Sequence, residues 1–216
     1  MKKRSAVASI SALLALGVLV PVAQAGVGPN ARFQDGNFSH WKENTRICGS
    51  GELAEFDTFA IGFTYPPQFG GAVVSTPPGG HAAIFGSTNP AWGYVSRTFT
   101  IPRKARKLSF RVWWFNQASP VVWQRGSTLK CPTGPAAQMI YASLLKPGSS
   151  PSSLAAKDQL LNLWRPQAGI SPAQSGTWRS ITTPVRKLRG KRVTFRFLVY
   201  STRSWLNAAF TGLKVR

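Results

Sequence analysis

Two stretches of the chain alternate apolar and other side chains with a period of two. Over Leu108–Asn116 (LSFRVWWFN), Leu108, Phe110, Val112 and Trp114 fall on one side, and Ser109, Arg111, Trp113 and Phe115 on the other. Over Val193–Tyr200 (VTFRFLVY), Val193, Phe195, Phe197 and Val199 oppose Thr194, Arg196, Leu198 and Tyr200. Alternation built from β-branched and aromatic residues predicts strands half-buried on a sheet. The sides led by Leu108 and Phe110, and by Val193 and Phe195, belong to a core. The opposite sides carry a cation among large rings, an uncommon make-up for a surface that only has to stay wet.

The same pattern predicts shorter strands over His81–Ser87 (HAAIFGS), over Trp92–Ile101 (WGYVSRTFTI) and in the C-terminal AAFTGLKV, with one or two more between Thr45 and Phe63. Ala137–Leu145 reads as a buried strand or a helical turn. Ser152–Arg165 allows a short helix but does not settle its period. Tyr65–Gly80 holds two Pro pairs and reads as a loop with at most a short strand at Ala72–Ser75. Pro120–Pro135 reads as a long loop. Many short strands divided by Gly- and Pro-rich turns predict an all-β, antiparallel β-sandwich with long loops.

What precedes the first of these elements is of another kind. Lys2, Lys3 and Arg4, an apolar run from Ala6 to Val22, and Ala23-Gln24-Ala25 have the order of a secretory signal peptide. Cleavage after Ala25 would leave 191 residues as one β-sandwich domain, 26–216, with no transmembrane anchor. Secretion, to the cell envelope or beyond, is the expected fate. In an oxidising compartment Cys48 and Cys131, the two cysteines of the chain, are expected to pair as a disulfide.

Charge changes the picture further. The chain holds 27 Lys and Arg against 6 Asp and Glu, a formal net charge of +21. Removing the three N-terminal cations leaves 24 against 6, or +18. Such a field attracts polyanions. Two turns concentrate it: Arg103–Lys107 (RKARK) and Arg186–Arg192 (RKLRGKR). Either alone is an ordinary solvated turn; on one edge together they would meet a polyanion.

A resemblance enters with Asn30–Trp41, NARFQDGNFSHW. The pattern N-x-x-F-x-x-G-x-F-x-x-W is similar to the opening of galactose-binding-domain-like jelly rolls, a group that includes secreted carbohydrate-binding modules. The order F-T-I-P, short turn, L-x-F-x-V-W resembles their middle, and Trp178, then Leu188-Arg189-Gly190-Lys191, then VTFRFLVY, resembles their ending. The resemblance implies a jelly-roll sandwich that binds carbohydrate. Members carry a Glu after the first Phe and an Asp near the last strand, which help to hold a structural calcium ion. Here those positions are Gln34 and Thr211-Gly212, so the implied calcium site lacks two charged ligands and no cofactor is expected.

Catalytic patterns are scarce. The chain has no G-x-S-x-G, no P-loop and no paired Cys and His that would suit a nucleophile. Glu55 and Asp57 would share a strand face, but nothing near them completes an acid–base site. The protein is therefore expected not to be an enzyme. The expected binding surface is Arg111, Trp113, Tyr141, Arg196 and Tyr200, provided that the two alternating strands lie in one sheet. Sugars would stack on the rings, and arginine forks would bind hydroxyls or carboxylates. The expected partner is a polysaccharide or other anionic polymer, with no specific nucleic acid. The alternative is a structural or adhesive envelope protein that meets polyanions through charge alone.

Overall fold

The computed structural model describes residues 27–48, 54–59, 80–87, 90–116, 129–131, 138–166, 173–174, 177–201 and 206–216. The segment expected to be a signal peptide, the short strand at Ala72–Ser75 and most of Pro120–Pro135 lie outside them, as do the side chains of Glu55 and Asp57. Among the described residues there are eleven strands. They are β1 (Lys42–Ile47), β2 (Ala54–Phe59), β3 (Ala82–Ser87), β4 (Ala91–Thr100), β5 (Lys107–Asn116), β6 (Gln138–Leu145), β7 (Gln159–Trp164), β8 (Ala173–Gln174), β9 (Arg179–Pro184), β10 (Arg192–Ser201) and β11 (Leu206–Val215). The described part of the expected Ala137–Leu145 element, Gln138–Leu145, is a strand. Ser152–Arg165 becomes a single 3-10 turn, Ala156–Asp158, followed by β7.

Pairing is antiparallel throughout and forms two sheets. One has five strands in the order β1-β4-β10-β6-β7. The other has six, in the order β2-β3-β11-β5-β8, with β9 also pairing with β5. The protein is an all-β sandwich of jelly-roll type. The expected in–out alternation holds on both long strands. Leu108, Phe110, Val112 and Trp114 of β5 meet Val193, Phe195, Phe197 and Val199 of β10 in one core between the sheets. Phe110 and Phe195 touch edge to face with ring centroids 5.6 Å apart, and Phe197 lies 4.8 Å from Phe210 of β11. Burying an aromatic or branched side chain contributes about 1.5–3 kcal/mol each, so this layer is the main source of stability.

The expectation that β5 and β10 are sheet neighbours is not met. β5 belongs to the six-stranded sheet and β10 to the five-stranded one. Their apolar sides face each other across the core, so their other sides point away from each other, out of opposite faces of the molecule. Alternation reports which side of a strand meets the core. It is satisfied equally by two strands side by side and by two strands face to face.

The Asn30–Trp41 loop closes the core. Phe33 and Trp41 stack at 5.0 Å, and Phe33 meets Phe210 edge to face at 5.2 Å. The loop keeps its shape through Asn30, whose amide donates to the Asn37 carbonyl and the Ser39 hydroxyl and accepts from the Asp35 N–H. Arg97 of β4 donates to the Pro29 carbonyl and lies 5.5 Å from the Trp41 ring.

A bulge in β11 decides which residues reach the outer face of the six-stranded sheet. Thr211 pairs with Arg111 and Lys214 with Ser109, so three steps on β11 match two on β5. Gly212 takes φ +71° at that point. The extra residue lets Leu213 and Val215 stay in the core while Thr211 and Lys214 both face outward. A Cβ at Gly212 would meet no atom within 4 Å, so a substitution is opposed by backbone conformation alone. Gly212→Ala is expected to lower the unfolding free energy by about 1–2 kcal/mol, measured by urea denaturation. Equal stability would mean that the bulge relaxes at no cost.

Candidate functional site

The outer face of the five-stranded sheet is closed over its central strands, β4, β10 and β6. Trp92, Met139, Tyr141, Leu198 and Tyr200 form a second apolar layer with Leu129 and Leu154 laid over them. Arg196 lies in this layer with no exposed surface. Its Nε donates to the Ser143 hydroxyl at 3.2 Å, and its Nη1 to the Pro151 and Ser153 carbonyls at 2.7 and 2.5 Å. The guanidinium carbon sits 5.1 Å from the Tyr141 ring centroid. Burial pushes the guanidinium down to about 10, partly opposed by Tyr141 and Asp158, so it stays charged at neutral pH. Arg196 thus pins the turn at residues 150–155 onto the sheet. The Leu129 N–H donates to the Ser152 carbonyl, and the Cys48–Cys131 disulfide, with Cα atoms 5.3 Å apart, ties down the adjoining segment.

Three of the five residues expected to bind ligand, Tyr141, Arg196 and Tyr200, are therefore packed beneath covering segments of their own chain. On the other sheet, Trp113 is 3% exposed and packs with Ala82, Ile84 and Ala209, with Phe115 and Trp178 against them. Large rings are worth more buried than wet, and here both sandwich faces have gained an outer layer of them. The five residues do not form one surface.

Arg111 is the exception. It is exposed and borders a cleft of about 360 Å³ on the outer face of the six-stranded sheet. Three other cations border the same cleft: Arg32 from the N-terminal loop, Lys214 after the bulge and Arg216 just beyond β11. Ser109, Ser180 and Thr182, from β5 and β9, add hydroxyls. Among the described residues that line it, none has a carboxylate, imidazole or thiol side chain. The Lys214 ammonium is pushed down, first by burial and then by repulsion from Arg32, Arg216 and Arg111. An anion entering the cleft would relieve that repulsion and gain charge-assisted hydrogen bonds.

The loop that supplies Arg32 is tied to the sheet. The Thr211 hydroxyl donates to the His81 carbonyl at 2.6 Å and lies 3.5 Å from the Arg32 carbonyl, and the Gln34 side chain accepts from the Arg32 N–H at 3.1 Å. The two positions where the resemblance implies calcium ligands thus hold this loop by hydrogen bonds. No group of three or more His, Cys, Asp or Glu side chains suited to a metal occurs among the described residues. No helix among them is long and apolar enough to cross a membrane.

Reading by strand alternation missed Arg32, Lys214 and Arg216. They come from a loop, from beyond a bulge and from the chain end, where no periodicity points. The one available signal was a glycine inside the pattern of the last strand, which marks a bulge.

No protein-family model matches the chain, and no curated protein sequence does. Solved structures do align with it. One is TmCBM61 in complex with beta-1,4-galactotriose, with TM-score 0.44 and 10% identity over 88% of this chain and 97% of that one. Another is the K3 cleaved adhesin domain of Lys-gingipain from Porphyromonas gingivalis, with TM-score 0.46 and 14% identity over 86% and 96%. A third is the CBM22-1 xylan-binding domain from Paenibacillus barcinonensis, with TM-score 0.39 and 12% identity over 86% and 90%.

Proposed function

We propose that the protein is exported, has no catalytic activity, and binds an anionic polysaccharide in the cleft between Arg111 and Lys214. The observation that carries this reading is four cations and three hydroxyl residues around one recess, with no acidic residue among the described residues that line it. Cations suit the carboxylates or sulfates of such a chain, and hydroxyls suit its sugar oxygens. Among the described residues the lining offers no carboxylate, imidazole or thiol side chain, the usual agents of general acid–base chemistry.

The double variant Arg111→Ala/Lys214→Ala is expected to weaken retention on anionic polysaccharide gels by about tenfold to a hundredfold, at about 1.5–3 kcal/mol per charged hydrogen bond with partial loss expected. Stability should move by less than about 0.5 kcal/mol, because neither side chain is packed in the core. Unchanged retention would remove the cleft from consideration.

A second reading, a structural or adhesive envelope protein held by charge alone, is favoured by the burial of the rings that were expected to stack. Arg111→Lys separates the two. The charge remains, but the planar fork is lost. Charge-only binding should survive it and should collapse with added salt, as screening shortens to about 8 Å at 0.15 M. Polysaccharide recognition in the cleft should weaken with Lys and keep a salt-resistant part.

A further inference from the structure

We propose that the ligand is a long linear polyanion that leaves the cleft across Arg216 and continues over a basic pole built from the two cation-rich turns. This rests on the cleft being the polysaccharide site.

The two turns meet at one end of the sandwich. The Ile101 N–H donates to the Lys191 carbonyl at 3.0 Å, Gly190 to Ile101 at 2.8 Å and Val185 to Arg106 at 3.0 Å, and the Arg189 guanidinium donates to the Ala105 carbonyl at 2.5 Å. Four exposed cations come from residues 101–107 and five from residues 185–192, and neither segment contains an acid. Like charges so placed repel one another, and the backbone bonds hold them together regardless. Arg216 joins this pole to the cleft. Its carbonyl accepts from both the Arg106 and Lys107 N–H groups, and the residue itself borders the cleft. Along β5, Arg111 and Lys107 are four residues apart, roughly 13 Å at about 3.3 Å per residue. Cleft and pole therefore form one continuous cationic track.

The chemistry of the track selects its occupant. A recess lined by cations and hydroxyls fits a hydrogen-bonding chain better than a flat lipid surface. Ile47, the exposed large apolar side chain among the described residues, lies at the end of β1 that pairs with Ala91, whereas the pole lies beyond Thr100 at the other end of β4. An apolar group placed to enter a bilayer is thus missing from the pole. Residues 102–107 and 185–192 contain no aromatic side chain, so the pole has no platform for stacked bases. A charged polysaccharide needs neither.

The test uses the chain without residues 1–25, heparin as the probe, and a pole variant, Lys104→Ser/Lys187→Ser/Lys191→Ser, beside the cleft variant Arg111→Ala. Melting curves confirm that both are folded. Long heparin chains should bind the pole variant about tenfold or more weakly at 0.15 M salt, with the slope of log affinity against log salt smaller by about two to three. Short heparin fragments that fill only the cleft should bind it as they bind the parent protein, and should lose affinity for Arg111→Ala. Long chains binding the pole variant at parental strength would overturn the track and leave the cleft standing. Equal losses for short and long chains would also overturn it, since the pole would then be the whole site. Arg111→Ala binding short fragments normally would instead overturn the cleft reading itself. If anionic phosphatidylglycerol vesicles lose the pole variant while long heparin does not, the pole serves a membrane and the proposal falls.

Discussion

Arg196→Met is expected to lower the unfolding free energy by about 2–4 kcal/mol, the loss of a donor to several buried neutral acceptors less the desolvation cost that the guanidinium no longer incurs. The methionine would fill much of the volume, but three acceptors would lose their donor. The Pro151 and Ser153 carbonyls and the Ser143 hydroxyl all face Arg196 from within the second apolar layer. A buried acceptor left without a partner costs about 1–3 kcal/mol. Arg196→Lys should recover only part of the loss, because one ammonium cannot reach acceptors arranged around a planar fork. The pH dependence has a defined sign. Burial holds the folded-state value near 10, below that of the unfolded chain, so folding releases a proton in the window above about 10. Stability from this group should rise with pH there and stay flat across the neutral range. Urea denaturation of the two variants measures the effect, and a loss under 1 kcal/mol for Met would show that the pin at residues 150–155 is idle. Polyanion retention below the melting point should not change, because Arg196 faces away from the cleft.

Cys48→Ser/Cys131→Ser is expected to cost about 4–5 kcal/mol, the chain-entropy value for a closed loop whose ends lie 83 residues apart. The cross-link joins the end of β1 to the segment carrying Leu129, which covers Trp92 and Tyr141. Its loss acts mainly by giving freedom back to the unfolded chain and secondarily by loosening that cover. Guanidinium titrations with and without reductant give the number. A change under about 1 kcal/mol would mean that the unfolded chain is compact without the bond. Reduced protein should also bind more of an apolar dye than oxidised protein at equal fold content, as the ring layer beneath the segment becomes reachable.

Arg196 and Arg111 occupy the same place in the same kind of strand, a cation between apolar neighbours. One is sealed and structural, the other open and at the mouth of a cleft. Nothing local separates them. The difference comes from segments distant in sequence: residues 150–155 and 129–131 lie on one sheet, while the outer face of the other is left open beside Gly212. Trp113 alternates outward, as a stacking platform would, yet Ala209 from β11 and Ile84 from β3 beyond it turn its surroundings apolar.

From the amino-acid order alone come the two-sheet β architecture, the residues of the main core, the pairing of Cys48 with Cys131 and the excess of positive charge. All four rest on near-neighbour periodicity or on simple counting, which survive without knowledge of what lies across the molecule. Only the tertiary structure decided which sheet each strand joins, which outward face is roofed over, and that Arg32, Arg111, Lys214 and Arg216 surround one recess. Those outcomes bring to one recess parts of the chain as far apart as Arg32 and Arg216, 184 positions (216 − 32). Burial of a side chain is a property of its distant neighbours as much as of the residue itself.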